Sequence, residues 1–110
     1  MNPVGIFDSG IGGLTVLKEI RREVPNENIV YYGDTAHLPY GTKSKETITK
    51  FSIDNVNFLK AFNTKIVIVA CNTASALSLD ALKKEFSFPV IGVIEPGAKQ
   101  ALSETKNGRV

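Results

Sequence analysis

The sequence predicts an α/β domain, a parallel sheet flanked by helices, and three observations carry that prediction. Four short β-branched runs are apolar nearly throughout, as strands buried on both faces of a sheet must be. Stretches with helical spacing of apolar residues separate each run from the next. The resulting order, β-α-β-α-β-α-β-α, suits parallel strands joined by right-handed crossovers. A chain of 110 residues is long enough to bury one such core.

The first strand is expected over residues 3–7 (PVGIF), running into the glycine-rich FDSGIGGLTV. Residues 13–24 (GLTVLKEIRREV) place Leu14, Leu17, Ile20 and Val24 on one helical stripe that halts before Pro25. Residues 29–33 (IVYYG) form the second strand and lead into GDTAHLPYGTKS. Ser44 suits an N-cap with Glu46 in the first turn, followed by Ile48, Phe51, Val56, Leu59 and Phe62 along one side. The third strand, residues 65–70 (KIVIVA), precedes a helix over 74–86 with Leu77, Leu79, Leu82 and Phe86 as its apolar positions. Residues 89–93 (PVIGV) are the fourth strand, and Pro96 suits the first turn of a last helix ending at Leu102. The domain is thus expected over residues 1–102. Residues 103–110 read as a loop (SETKNG) and the first step of a further strand at Arg109-Val110, as though a second domain belonged beyond them.

Composition narrows the function. Hydrophobic and charged fractions of 43% and 22% are those of an ordinary soluble protein. A net charge of +2, with basic residues dispersed apart from Arg21-Arg22 and Lys83-Lys84, makes no case for nucleic acid or an anionic membrane. No apolar run approaches the ~20 residues of a membrane span, and the start lacks a signal peptide's apolar stretch. One cysteine excludes an internal disulfide, and together with one histidine, His37, it excludes a zinc site built from Cys and His alone. A cytoplasmic protein without metal is the expectation.

Ligands of open α/β sheets gather beyond the carboxyl ends of the strands, and three of those ends carry polar or glycine-rich sequence here. After the first strand, Gly10, Gly12 and Gly13 give G-x-G-G, with Thr15 where a dinucleotide fingerprint needs its third glycine. Asp34 after the second strand stands where a ribose-binding acid would, which keeps a nucleotide-binding domain as an alternative. A tight turn explains the glycines, but not Asp8-Ser9, a carboxylate and a hydroxyl able to hold an ammonium group. Pro39-Tyr40-Gly41 is ordinary turn chemistry, and His37 has no partner assignable from sequence. Glu95 beside Pro96 favours a helix start and receives no catalytic role. Cys71 ends the third strand where a helix begins, with Asn72 and Thr73 as candidate caps. A lone cysteine is usually a buried small hydrophobe. A helix N-terminus, however, stabilises a nearby anion by up to ~2 kcal/mol and so favours the reactive thiolate.

Four segments, GIFDSGIGGLTVL (5–17), YYGDTAHLPYGTK (31–43), VIVACNTASAL (67–77) and PVIGVIEPG (89–97), together resemble the amino-terminal half of the glutamate racemases, within the aspartate/glutamate racemase family. The resemblance implies an enzyme without cofactor that interconverts L- and D-glutamate for bacterial peptidoglycan. Cys71 would be one of its two catalytic thiols. Asp8, Ser9, Tyr40, Gly41, Asn72 and Thr73 would hold the substrate's ammonium and carboxylate groups. The family's second cysteine, in a GCTHYP-like motif, has no counterpart in these 110 residues. Activity of this chain alone is therefore not expected, unless two copies pair as a homodimer and bring two Cys71 thiols face to face. The alternatives are an aspartate or related amino-acid racemase, and a ligand-binding module without turnover.

Overall fold

A computed structural model describes residues 2–9, 13–37 and 40–92. It contains a four-stranded, wholly parallel sheet with helices on both faces. The strands are β1 (Val4–Asp8), β2 (Ile29–Gly33), β3 (Ile66–Val69) and β4 (Val90–Gly92), and their spatial order is β2-β1-β3-β4. The helices are α1 (Gly13–Glu23), α2 (Lys45–Lys60) and α3 (Asn72–Glu85), with 3₁₀ turns at Thr35–His37 and Tyr40–Thr42. The expected strands and helices within these residues are present. The last helix through Leu102, Glu95 and the 103–110 segment lie outside the described residues, as do Gly10, Gly12 and Pro39. None of the described helices is long and apolar enough to cross a membrane.

Strand alternation sorts the apolar runs onto two faces. Val4, Ile6, Ile66, Ile68 and Ile91 point to α1, where Ile20 and Val24 meet them. Phe7, Val67, Val69 and Val90 point the other way, onto Ile48, Val56 and Leu59 of α2 and Ala74 and Leu82 of α3. Runs without polar alternation are what a doubly covered sheet demands. The stripe expected on α1 is narrower than its spacing suggests: Ile20 is buried, but Leu14 is 63% exposed. Phe62 lies beyond the end of α2, and with Phe58 it remains 47% exposed.

Helix ends follow the local chemistry. Ser44 caps α2, its Oγ accepting from the Thr47 amide at 3.1 Å. After α2 the chain reverses at Asn63, which has φ 60°, a left-handed conformation that asparagine tolerates. The Arg21 guanidinium donates to the carbonyls of Pro25 and Glu27, tying the end of α1 to the entry of β2. At the far end of the sheet, a methyl on Gly92 would lie 2.0 Å from the Ser75 hydroxyl. Only glycine permits α3 to approach β4 so closely.

Leu59 is fully buried between α2 and the sheet, whereas Ser44 makes one exposed cap. Urea unfolding should therefore show Leu59→Ala costing about 2–5 kcal/mol and Ser44→Ala about 1 kcal/mol. Equal costs would mean that the α2–sheet contact is looser than described.

Candidate active site

Because β1 lies between β2 and β3, the two connections that leave its neighbourhood diverge. From β1 the chain passes through α1 to β2 on one face, and from β3 it passes through α3 to β4 on the other. The crevice of an open α/β sheet opens at such a reversal of strand order. Here that reversal falls between Asp8-Ser9, at the end of β1, and Ala70-Cys71, just past β3. The ladder continues one step beyond β3, with the Ala70 amide donating to the Phe7 carbonyl at 2.8 Å. Asp8 and Cys71 are thereby held at the same end of adjacent strands.

Cys71 is buried and is itself the N-cap of α3. Its backbone is extended, and its Sγ accepts from the Ala74 amide at 3.5 Å. This corrects the expected cap: Asn72 and Thr73 occupy the first helical turn, and the thiol sulfur takes the capping position. A sulfur so placed sits against the positive end of the helix dipole. Strand alternation turns Cys71 to the α2/α3 face, with Val67 and Val69, and it packs in the same cluster as Tyr40.

Asp8 belongs to β1 itself, paired with Gly33, and is fully buried on the α1 face. The Tyr31 hydroxyl donates to its Oδ2 at 2.7 Å. A methyl on Gly13 would stand 1.5 Å from the same oxygen, so the start of α1 rests directly on the carboxylate. Gly13 is thus required by a side chain rather than by the turn alone. Burial, then the hydrogen bond and charge of Asp8, push the Tyr31 phenol up to about 12. Ser9 is buried beside Asp8, Asn72 is exposed, Thr73 is half-buried, and Gly41 is exposed with open space about its Cα.

Three further residues were not legible as a group in the sequence. Asp34, 1% exposed, accepts from the Tyr40 hydroxyl at 2.5 Å and from the Asn55 amide at 3.1 Å, and pairs with His37 Nδ1 at 2.7 Å. Asn55 also donates to the Tyr40 oxygen at 2.8 Å. Burial alone would raise the Asp34 carboxyl, but the hydrogen bonds of Tyr40, His37 and Asn55 outweigh it and hold it below its ordinary value. Burial and the Asp34 bond push the Tyr40 phenol well up, and the neighbouring Cys71 adds to that. A carboxylate enclosed by these donors has no face left for a ribose, which removes the observation that kept a nucleotide site in view. The i, i+3 spacing of Asp34 and His37 was the one available signal for their pairing.

A family model described as Asp/Glu/Hydantoin racemase matches residues 4–110. The chain belongs to that family. Among its relatives, a glutamate racemase of Geobacter metallireducens is 57% identical over 107 residues, which are 97% of this chain and 40% of that protein. The structure of glutamate racemase from Aquifex pyrophilus superposes with a TM-score of 0.82 at 57% identity, covering 93% of this chain and 40% of that one. Glutamate racemase from Francisella tularensis, solved in complex with D-glutamate, superposes with a TM-score of 0.81 at 40% identity, over 98% of this chain and 46% of that one. The chain therefore spans less than half the length of the racemases it matches.

Two measurements test this geometry. Gly13→Ala should lose about 1–3 kcal/mol in urea unfolding, because Asp8 must give way to the methyl. A neutral cost would show that α1 does not rest on that carboxylate. The raised Tyr31 phenol favours the folded state below pH 10 and loses that contribution as pH climbs from 10.0 to about 12. Melting temperatures of Tyr31→Phe should accordingly decline less steeply over that interval than those of the unsubstituted chain.

Proposed function

We propose that this chain carries the first half of a glutamate racemase site, with Cys71 as the thiol that works on one face of the substrate α-carbon. The observation that carries the reading is the buried cysteine capping α3 at the switch point, beside the Asp8-Ser9 strand end. The relatives named glutamate racemase favour glutamate over aspartate as substrate.

Inverting an α-carbon requires a base on one face and an acid on the other. In this reading the ammonium group is held at Asp8 and Ser9, and the carboxylate at Asn72, Thr73 and the Tyr40–Gly41 backbone. The first amides of α3 point at the place where negative charge develops as the α-proton leaves. Cys71, as thiolate, removes that proton. A second thiol returns one on the opposite side, and because two thiols have matched proton affinities, both directions run. No group acting as an electron sink is invoked. The second thiol is assigned to protein beyond these 110 residues, in a second domain, or to a second copy of the chain. The product would supply D-glutamate to peptidoglycan synthesis in the cytoplasm.

The test is the α-proton of D- and L-glutamate in D₂O, followed by NMR with circular dichroism at a fixed wavelength. A half-site is expected to wash out the α-proton with chirality retained, and Cys71→Ala to abolish the exchange. Loss of optical activity would instead mean that both faces are served, through pairing of copies or another acid. No exchange with either enantiomer would sink the assignment of Cys71 as a working base in this chain.

A further inference from the structure

Tyr40 packs in the same cluster as the thiol, and it is anchored through its hydroxyl. The residue is 2% exposed. Its hydroxyl joins a buried polar group, donating to Asp34 Oδ2 and accepting from Asn55. Both oxygens of Asp34 lie within 2.8 Å of His37 Nδ1, and the His37 ring stacks on Phe51 with centroids 3.7 Å apart. Phe51 and Asn55 are one turn apart on α2, so the same helix face receives both ends of the group. Asp34 in turn is locked to the sheet, its amide donating to the Asp8 carbonyl at 2.9 Å. One carboxylate thus joins the end of β2, both 3₁₀ turns and the middle of α2.

We propose that Asp34 is a positioning residue for the Cys71 site: through the Tyr40 hydroxyl it sets the Tyr40–Gly41 segment, and with it the access to the thiol. The geometry stands independently of the ligand, while the effect on glutamate binding rests on the racemase reading above. Buried, multiply bonded carboxylates of this kind are costly to form, because the charge must leave water. Here the side-chain bonds of Asp34 go to His37 and Tyr40 in the two 3₁₀ turns and to Asn55 on α2, so one carboxylate ties the Tyr40–Gly41 turn to the helix beside it. The amide analogue preserves most of the geometry. Asparagine at position 34 still accepts from Tyr40, and its NH₂ can donate to His37 Nδ1 once the ring adopts the other tautomer. Leucine at 34 offers neither.

The experiment is alkylation of Cys71 by iodoacetamide in the 110-residue chain, with and without D-glutamate, for Asp34→Leu, Asp34→Asn, Tyr40→Phe and Val24→Ala. Val24 is buried on the opposite face of the sheet and serves as a control for lost stability alone. Asp34→Leu and Tyr40→Phe should alkylate at least about threefold faster and need about tenfold more D-glutamate for half-protection, the scale of a lost hydrogen bond to a charged group. Asp34→Asn should return both quantities to within about twofold of the unsubstituted chain, and Val24→Ala should leave both unmoved. Unchanged alkylation in Asp34→Leu and Tyr40→Phe overturns the proposal, as does an equal change in Val24→Ala. Should Asp34→Leu fail to fold, Tyr40→Phe decides, since its ring fills the same space. If D-glutamate does not protect even the unsubstituted chain, the glutamate reading falls, and the alkylation rates still judge the positioning role.

Discussion

The central position of β1 is the constraint on which the rest of this structure depends. It pairs on both sides, with β2 and β3, and its residues Val4, Ile6, Phe7 and Asp8 are fully buried. A strand so enclosed must satisfy every backbone group in its ladders and every side chain in one of two apolar layers. Once β1 is flanked in this way, its two neighbours must be reached from opposite directions. The connections then part at its carboxyl end. The switch point that results is a consequence of strand order, and Asp8 beside it is the one polar interruption in an otherwise hydrophobic strand.

That interruption is costly. Asp8 ends the strand as a buried carboxylate, and the fold compensates it with the Tyr31 hydroxyl from the neighbouring strand. Gly13, with no side chain, lets α1 start against the carboxylate. A second buried carboxylate, Asp34, is compensated by donors from the following loop and α2. The two acids are held on adjacent strand ends, joined through the Asp34 amide and the Asp8 carbonyl. Each is stabilised by a tyrosine, and neither phenol ionises near neutral pH, since burial and the adjacent carboxylate both favour the neutral form.

Cys71 completes the crevice from the other side. Strand alternation sends Asp8 toward α1 and Cys71 toward α2 and α3, so carboxylate and thiol flank the opening rather than crowd one face. Capping by sulfur is weaker than capping by oxygen, and the 3.5 Å distance to the Ala74 amide reflects that. The helix start therefore receives less from its cap than a serine would supply there, while the thiol gains a position against the helix dipole. A cap chosen for helix stability alone would be a different residue.

Most of the architecture was legible in the sequence because its cause is local. Unbroken apolar runs mark doubly buried strands, helical spacing marks the segments between them, and Ser44 and Pro25 mark ends through their own backbone chemistry. The motifs around Asp8, Tyr40 and Cys71 were legible too, through their resemblance to one family. Tertiary structure alone decided what those residues touch. No spacing rule brings Tyr31 to Asp8, 23 residues apart, or Asn55 to Asp34, 21 residues apart. Such contacts exist only after strand order and helix placement bring distant segments together. The same holds for the cap of α3: Asn72 and Thr73 have the better intrinsic propensity, but the helix starts at Asn72, two residues earlier than expected, with Cys71 as its cap. Local chemistry determined which elements form, and the packing of the sheet determined which of their polar groups came together.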